Sequence, residues 1–475
     1  MIKHFKKVQS PLNSLGKYPT LEDQTLRFES AGWKTAFARS LWDLWSDDSF
    51  LSPQSRISLD EVEPFDEWEE FALFSSHYSL LYAENSGSFT TEPGMRPFLP
   101  SLPLDANISV LDSSTPISLK FKEASQYLGL RRFGSAFSLG EDAIAFHGGM
   151  GPDTRLDSSE IVTQGSARLE QVAKVPAPGK ARMCHTISMV GNGKHLLVGG
   201  RASPDAAFAD CWLLSSGSWH PVQPLPTPRY RHCAVSVREI NVLIFGGKDS
   251  AGNPLKESLL WDEEEGWKHL QMAGTQPQAR FGASMGALST TSGILFGGMT
   301  GSGTILNDLW EWQLDAKQAC ISFRDRSDDL STIPGAAECY ARFGATLVQH
   351  WGATLVIGGV SSNSLLRKEH EIMAIDTTTF RPKLLPRSES IPRPLLVGCA
   401  IHTDGSETLI FGGGAVCYAF GMYWNRGIWV LGESDDSKHS WKFQDIHANS
   451  KGLGAGGKPQ SENSAPSEKA PLSLP

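Results

Sequence analysis

Short apolar runs, each closed by a pair of glycines, set the rhythm of this chain. They end in Phe146-His147-Gly148-Gly149, Leu197-Val198-Gly199-Gly200, Ile244-Phe245-Gly246-Gly247, Leu295-Phe296-Gly297-Gly298, Val356-Ile357-Gly358-Gly359 and Ile410-Phe411-Gly412-Gly413. From one doublet to the next the steps are 51, 47, 51, 61 and 54 residues. An apolar run bounded by turn residues reads as a buried strand. A unit of this size cannot bury both faces of its own small sheet, so units repeating near this period must stack. Closing the stack into a ring removes the sheet edges that would otherwise stay exposed.

Each repeat has the same grammar. Arg132, Arg182, Arg229, Arg280 and Arg342 precede their doublets by 16, 17, 17, 17 and 16 residues, whereas in the sixth repeat Arg393 lies 19 before Gly412. Small or ring-bearing residues follow the arginine, as in Phe133-Gly134, Cys184-His185, Arg231-His232, Phe281-Gly282 and Phe343-Gly344. After the doublet come a loop and strands with aromatic anchors, among them Trp212, Trp219, Trp261, Trp267, Trp310, Trp312, Trp429 and Trp441. The pattern predicts a mainly β chain, a kelch-type six-bladed β-propeller over 126–447. The runs 107–111 and 117–121 read as strands that either close the ring or add to it, which leaves six and seven blades both open. Each arginine has two readings. Its head is bonded to backbone carbonyls near the channel, or the five form a ring of guanidinium groups at one mouth that takes a phosphate or carboxylate substrate.

The first 84 residues lack the repeat. Thr20 with Glu22 and Asp23 predicts a helix start, and Gly32 its end. The segment 33–45 is aromatic and apolar and predicts a strand. Ser52-Pro53 predicts a second helix with proline at its first position, broken at Pro64 and resumed through Phe65, Trp68 and Phe71 or Ala72. Residues 77–83 predict a buried strand. Charge is divided: 1–39 holds seven basic and three acidic residues, 40–84 one basic and eleven acidic. Asp60, Glu61, Glu63, Asp66, Glu67, Glu69 and Glu70 read as a solvated acidic face. Two helices and two strands are too few to close a domain, so this pattern calls for partner strands upstream of Met1.

The stretches KYPTLEDQTLRFESAGW, LWDLW and EPFDEWEEFALFSSHYSLLYA resemble the C-terminal end of the leucine carboxyl methyltransferase family, and more narrowly its branch in which kelch repeats follow that domain. The resemblance implies that 1–84 is the C-terminal part of a Rossmann-like methyltransferase domain; composition separately reads 85–125 as a linker that includes the candidate closing strands and 448–475 as a disordered tail. The resemblance also implies an S-adenosylmethionine-dependent methyltransferase and methoxycarbonyltransferase of wybutosine synthesis, acting on phenylalanine tRNA held in part by the propeller. The family's cofactor contacts precede the segment that matches here. No catalytic or cofactor-binding residue can therefore be carried over, and this chain alone is expected not to bind S-adenosylmethionine. Gly452, Gly454 and Gly457 match a dinucleotide-type glycine spacing, but no strand precedes them and no helix follows.

Composition narrows the alternatives. The net charge of -9 argues against a chain that binds nucleic acid over its whole surface and leaves a local basic face. Seven scattered cysteines without Cys-x-x-Cys pairs or zinc spacing predict free thiols, no metal site and a reducing, cytoplasmic location. No run is long enough to span a membrane. Two other functions stay open: a catalytically inactive propeller that binds a protein partner through its loops, and methylation of a protein C-terminal leucine.

Overall fold

The computed structural model describes residues 2–85, 108, 117–122, 130–140, 143–164, 179–331, 335–433 and 441–443, with breaks in the penultimate range at 351–352, 363–364, 386, 390–392, 404–406, 418–420 and 426. Residues up to Phe443 form one compact unit. The tail, most of the linker and most of the run 107–111 lie outside the described residues.

Six sheets form a closed ring, antiparallel except for one parallel outer pair in blade four and one in blade six. Their inner strands are Ser135–Ser138, Thr186–Met189, Cys233–Val237, Ser284–Ala287, Thr346–His350 and Cys399–Thr403. Each pairs with the strand that ends at its glycine doublet. Inner strands pack neighbour to neighbour, the last onto the first. Closure happens twice: Ile117–Lys122 pairs with Ile428–Glu433 in blade six, and Trp441–Phe443 pairs with Ser159–Gln164 in blade one. The run at 117 therefore completes a blade, and six blades is the count.

The glycines of the doublets lie at positive φ, for example +65° and +99° at Gly246 and Gly247. A Cβ on Gly246 would stand 2.5 Å from the Arg280 carbonyl oxygen of the next blade. Tryptophans fill the space between blades. Trp261 packs among Leu196, Val198 and Val242, and Trp429 among Leu355, Ile357 and Ile410.

The N-terminal segment folds as α1 (Ile2–Lys7), α2 (Leu21–Ser30), β1 (Thr35–Ser40), α3 (Leu41–Ser46), α4 (Pro53–Val62), α5 (Trp68–Ser75) and β2 (Ser79–Glu84). Thr20 and Asp23 form a reciprocal capping box on α2, and Ser52 caps α4 ahead of Pro53. Two expectations are corrected. The stretch 33–45 is not all strand: Ser40 accepts from the Asp43 backbone N–H and starts α3. The second strand is not buried, since Leu80 and Tyr82 are 42% and 36% exposed; β1 is its partner and is the buried member of the pair.

α3 and α5 sit directly on the ring. Trp42, Trp68 and Ala72 pack against Phe281, Met299, Ile305, Phe343, Val360 and Val397 from blades four to six. Burying an aromatic ring of this kind contributes roughly 2–3 kcal/mol. The Trp42 indole N–H donates to the Ser361 carbonyl at 2.8 Å, and Arg56 Nε to the Ser302 carbonyl at 2.6 Å.

Candidate functional site

The repeat arginines are absorbed by the ring. Arg182, Arg229, Arg280 and Arg342 are wholly buried, and each donates to the carbonyl of the first glycine in its own doublet at 2.9, 3.1, 3.0 and 3.0 Å. Arg182 also holds Asp210 (2.5 Å), Arg280 holds Asp308 (2.6 Å) and Arg229 holds Glu257. Arg342 bonds instead to the carbonyls of Cys339 and His370, and burial lowers its guanidinium to about 10. Buried in this way and bonded to backbone carbonyls, these heads are not presented to a substrate at the mouth. Blade one holds a one-residue correction. Arg131, not Arg132, takes the repeat position, bonding Gly148 O at 3.0 Å and Ser158 O at 2.8 Å. Spacing alone admits either residue, because Arg342 fills the same role 16 residues before its doublet. In blade six the place belongs to Leu396, whose carbonyl accepts from Gly359 N, and Arg393 pairs with Glu371.

Two positions further on, every blade turns its backbone left-handed at the channel. The φ values are 58° at Phe133, 56° at Cys184, 53° at Arg231, 63° at Gly282, 73° at Gly344 and 63° at Gly398. Their peptides hydrogen-bond around the axis: Phe133 N to Gly398 O, Cys184 N to Phe133 O, Arg231 N to Cys184 O, Gly282 N to Arg231 O and Gly344 N to Gly282 O, all at 2.8–3.0 Å. Blades four to six place glycine here for lack of room. A Cβ on Gly344 would come within 2.6 Å of Glu69 Oε1, and one on Gly282 would overlap the Phe343 ring. Blades one to three hold Phe133, Cys184 and Arg231, conformations that cost roughly 1–3 kcal/mol each and that surrounding contacts must enforce.

The face around this mouth is therefore split. Its apolar half, blades four to six, carries α3 and α5. Its basic half presents Arg132 and Arg155 from blade one, Arg201 from blade two, and Arg231 and Lys248 from blade three. Arg201 and Lys248 directly follow their doublets, where Met150, Met299 and Val360 stand in other repeats. That departure was the available signal, and spacing counts alone pass over it.

Carboxylates from α4, α5 and the turn between them point into the basic half. Arg231 Nε holds Asp66 Oδ1 at 2.8 Å, its Nη1 holds Glu69 Oε1 at 2.7 Å, and its head lies between the Phe133 and Phe343 rings. Arg201 Nη2 lies 2.7 Å from Asp66 Oδ2, Arg132 pairs with Glu70, and Lys248 Nζ reaches Asp60 at 3.2 Å. Asp66, Glu69 and Glu70 are 1–3% exposed. The solvated acidic face is thus corrected: only Glu61 and Glu63 stand in water, with Glu67 half-buried. Burial raises Glu70 to about 7, opposed by Arg132 and reinforced by Glu69.

Below Glu69 lies a cavity of about 140 Å³ bordered by Cys184, His185, Arg231 and His232. Burial pushes the Cys184 thiol up to about 11 and holds His147 and His232 down at about 3. These groups are a neutral thiol and neutral imidazoles, without a nucleophile–base pair. Among the described residues no cluster fits a metal ion and the described cysteines are free. No helix among them is long and apolar enough to cross a membrane.

The fold defines a six-bladed β-propeller with a helical segment docked on one mouth through arginine–carboxylate pairs. A family model described as "tRNA wybutosine-synthesizing protein 4, beta-propeller" matches residues 178–427, and the chain belongs to that family. Proteins named tRNA wybutosine-synthesizing protein 4 are similar to it. The one from Aspergillus oryzae is 40% identical over 93% of this chain and 44% of its own length. That from Emericella nidulans is 38% identical, covering 91% and 43%, and that from Eremothecium gossypii 33% identical, covering 91% and 60%. The chain spans about half the length of such relatives.

Proposed function

We propose that this chain serves wybutosine biosynthesis as the substrate-holding part of an S-adenosylmethionine-dependent enzyme that acts on phenylalanine tRNA in the cytoplasm. The observation that carries the reading is the family membership, joined to the order of parts: a methyltransferase-like C-terminal segment first, a propeller second. The uncovered apolar side chains of Leu80 and Tyr82 fit a strand that belongs to a larger sheet. The described residues do not fit the cofactor itself. β1 and β2 are antiparallel, and no glycine-rich turn links a strand to a helix among residues 2–85. No step of methyl transfer is therefore assigned to this chain's own side chains. What they supply is position. Arg231, Arg201 and Arg132 bind α5 and the turn before it to the ring mouth, so an RNA held on the ring stands at a fixed distance from the segment, and such positioning accounts for much of the rate in a transfer between two bound groups.

The test is binding of phenylalanine tRNA to the full chain, followed by fluorescence anisotropy at several salt concentrations. A Kd well below that for an unrelated tRNA is expected. Equal affinity for both, or none, would remove the substrate-holding role.

A further inference from the structure

Of the five cations on the basic half of the ring face, four have a carboxylate and Arg155 has none among the described residues. Its Nε is buried without a hydrogen-bond partner, and so is Nε of Arg201 in the neighbouring blade. Arg155 is placed by the fold: its backbone bridges Met150, which in turn bridges Arg132, and on its other side the Leu156 carbonyl accepts from Arg182 N at 3.3 Å while the next residue, Met183, bridges Arg201. Burial and the adjacent Arg201 charge both lower the Arg155 guanidinium from its ordinary value. The residue is half-buried.

The same face shows how this molecule settles two neighbouring guanidinium groups. Asp66 stands between Arg201 and Arg231, one oxygen at 2.7 Å from the first and the other at 2.8 Å from the second. Between Arg155 and Arg201 no described carboxylate fills the corresponding role. Two like charges held together in a poorly hydrated place are costly unless an anion with several oxygens bridges them. The chain supplies that anion on one side of Arg201 and leaves the other side to the solvent.

We propose that Arg155 and Arg201 form a phosphate-binding site on the ring face, beside the carboxylates of Asp66 and α5, and that it takes a phosphate group of a polynucleotide backbone. The source of the phosphate rests on the RNA reading above; the site does not. Sequence would not be read here. One phosphate seated on two guanidinium groups positions an RNA and leaves its bases to other contacts.

The experiment uses the full chain and three variants: Arg155→Gln, Arg155→Lys and, as a charge-matched control on an exposed loop, Lys317→Gln. The probes are a fluorescent single-stranded RNA oligonucleotide titrated over a salt series, and inorganic phosphate read by the melting temperature. Expected for Arg155→Gln is about tenfold weaker RNA binding and a log–log salt slope smaller by about one. The Arg155→Lys variant should recover the slope and only part of the affinity. Arg155→Gln should melt no lower than the parent, because it breaks no side-chain bond among the described residues and relieves Arg201. If phosphate raises the melting temperature through Arg155 but RNA does not bind, the site stands with free phosphate as its ligand, and the substrate-holding role falls. If RNA binds the parent and Arg155→Gln equally, with the same slope, the site is overturned and that role survives. Binding of neither probe, a marked loss of stability in Arg155→Gln, or an equal effect of Lys317→Gln also overturns the site.

Discussion

At the residue scale the first glycine of each doublet answers two constraints at once, and they can be separated. Gly246 has φ +65° and faces the Arg280 carbonyl of the next blade, where a Cβ would stand at 2.5 Å. Gly193 has nearly the same φ, +69°, with nothing within 4 Å. Gly193→Ala should therefore lose only the conformational term, about 1 kcal/mol. Gly246→Ala adds a collision with fixed backbone and should lose roughly 3 kcal/mol, with Gly297→Ala behaving alike. Urea unfolding of the three variants measures both terms; equal losses would remove the crowding argument. These glycines were legible in the sequence because a local rule, a turn at the end of a buried strand, fixes them. Arg132 was misplaced by one residue for the opposite reason. Two arginines stand side by side at 131 and 132, and only the hydrogen-bond target, Gly148 O, tells them apart.

At the element scale the sequence showed α4 and α5 through caps and spacing but not what their acids face. Seven acids within one stretch have the same composition whether they meet water or arginine. The partners, Arg132, Arg201 and Arg231, lie 62 to 165 residues away and become neighbours only when the ring closes. The structure makes a testable statement about that contact. Arg231→Ala leaves Asp66 and Glu69 buried with their main cation gone and should destabilise the unit by about 3–5 kcal/mol. The double variant Arg231→Met with Glu69→Leu removes both charges and should recover part of the loss. A double-mutant cycle read by thermal unfolding gives the coupling directly. Additive effects would mean that helix and ring are held by the apolar contacts of Trp42 and Trp68 alone.

At the scale of the whole molecule the buried titratable groups set a direction of pH dependence. His147 and His232 are held down at about 3, His195 at about 4, and His185 well below its ordinary value, each chiefly by burial. An unfolded histidine takes its proton near pH 6.5. Below that value the unfolded chain binds more protons at these four sites than the folded one, so stability falls as pH falls from about 6.5. Glu70 works against them. Its folded carboxyl is raised to about 7, so between about 4.5 and 7 the folded state keeps a proton that the unfolded state has lost, and stability there falls as pH rises. Each proton is worth about 1.4 kcal/mol per pH unit. Four histidines against one glutamate leave a net loss on acidification, and the melting temperature should drop between pH 7 and pH 5. Two variants separate the opposing groups. His185 has both ring nitrogens without a partner, so His185→Leu should flatten the dependence by about one proton. Glu70→Gln removes the opposing group and should steepen it by about the same amount. Unfolding free energies of the three proteins at a series of pH values decide the matter, and equal slopes would mean that these groups titrate alike in the folded and unfolded chain.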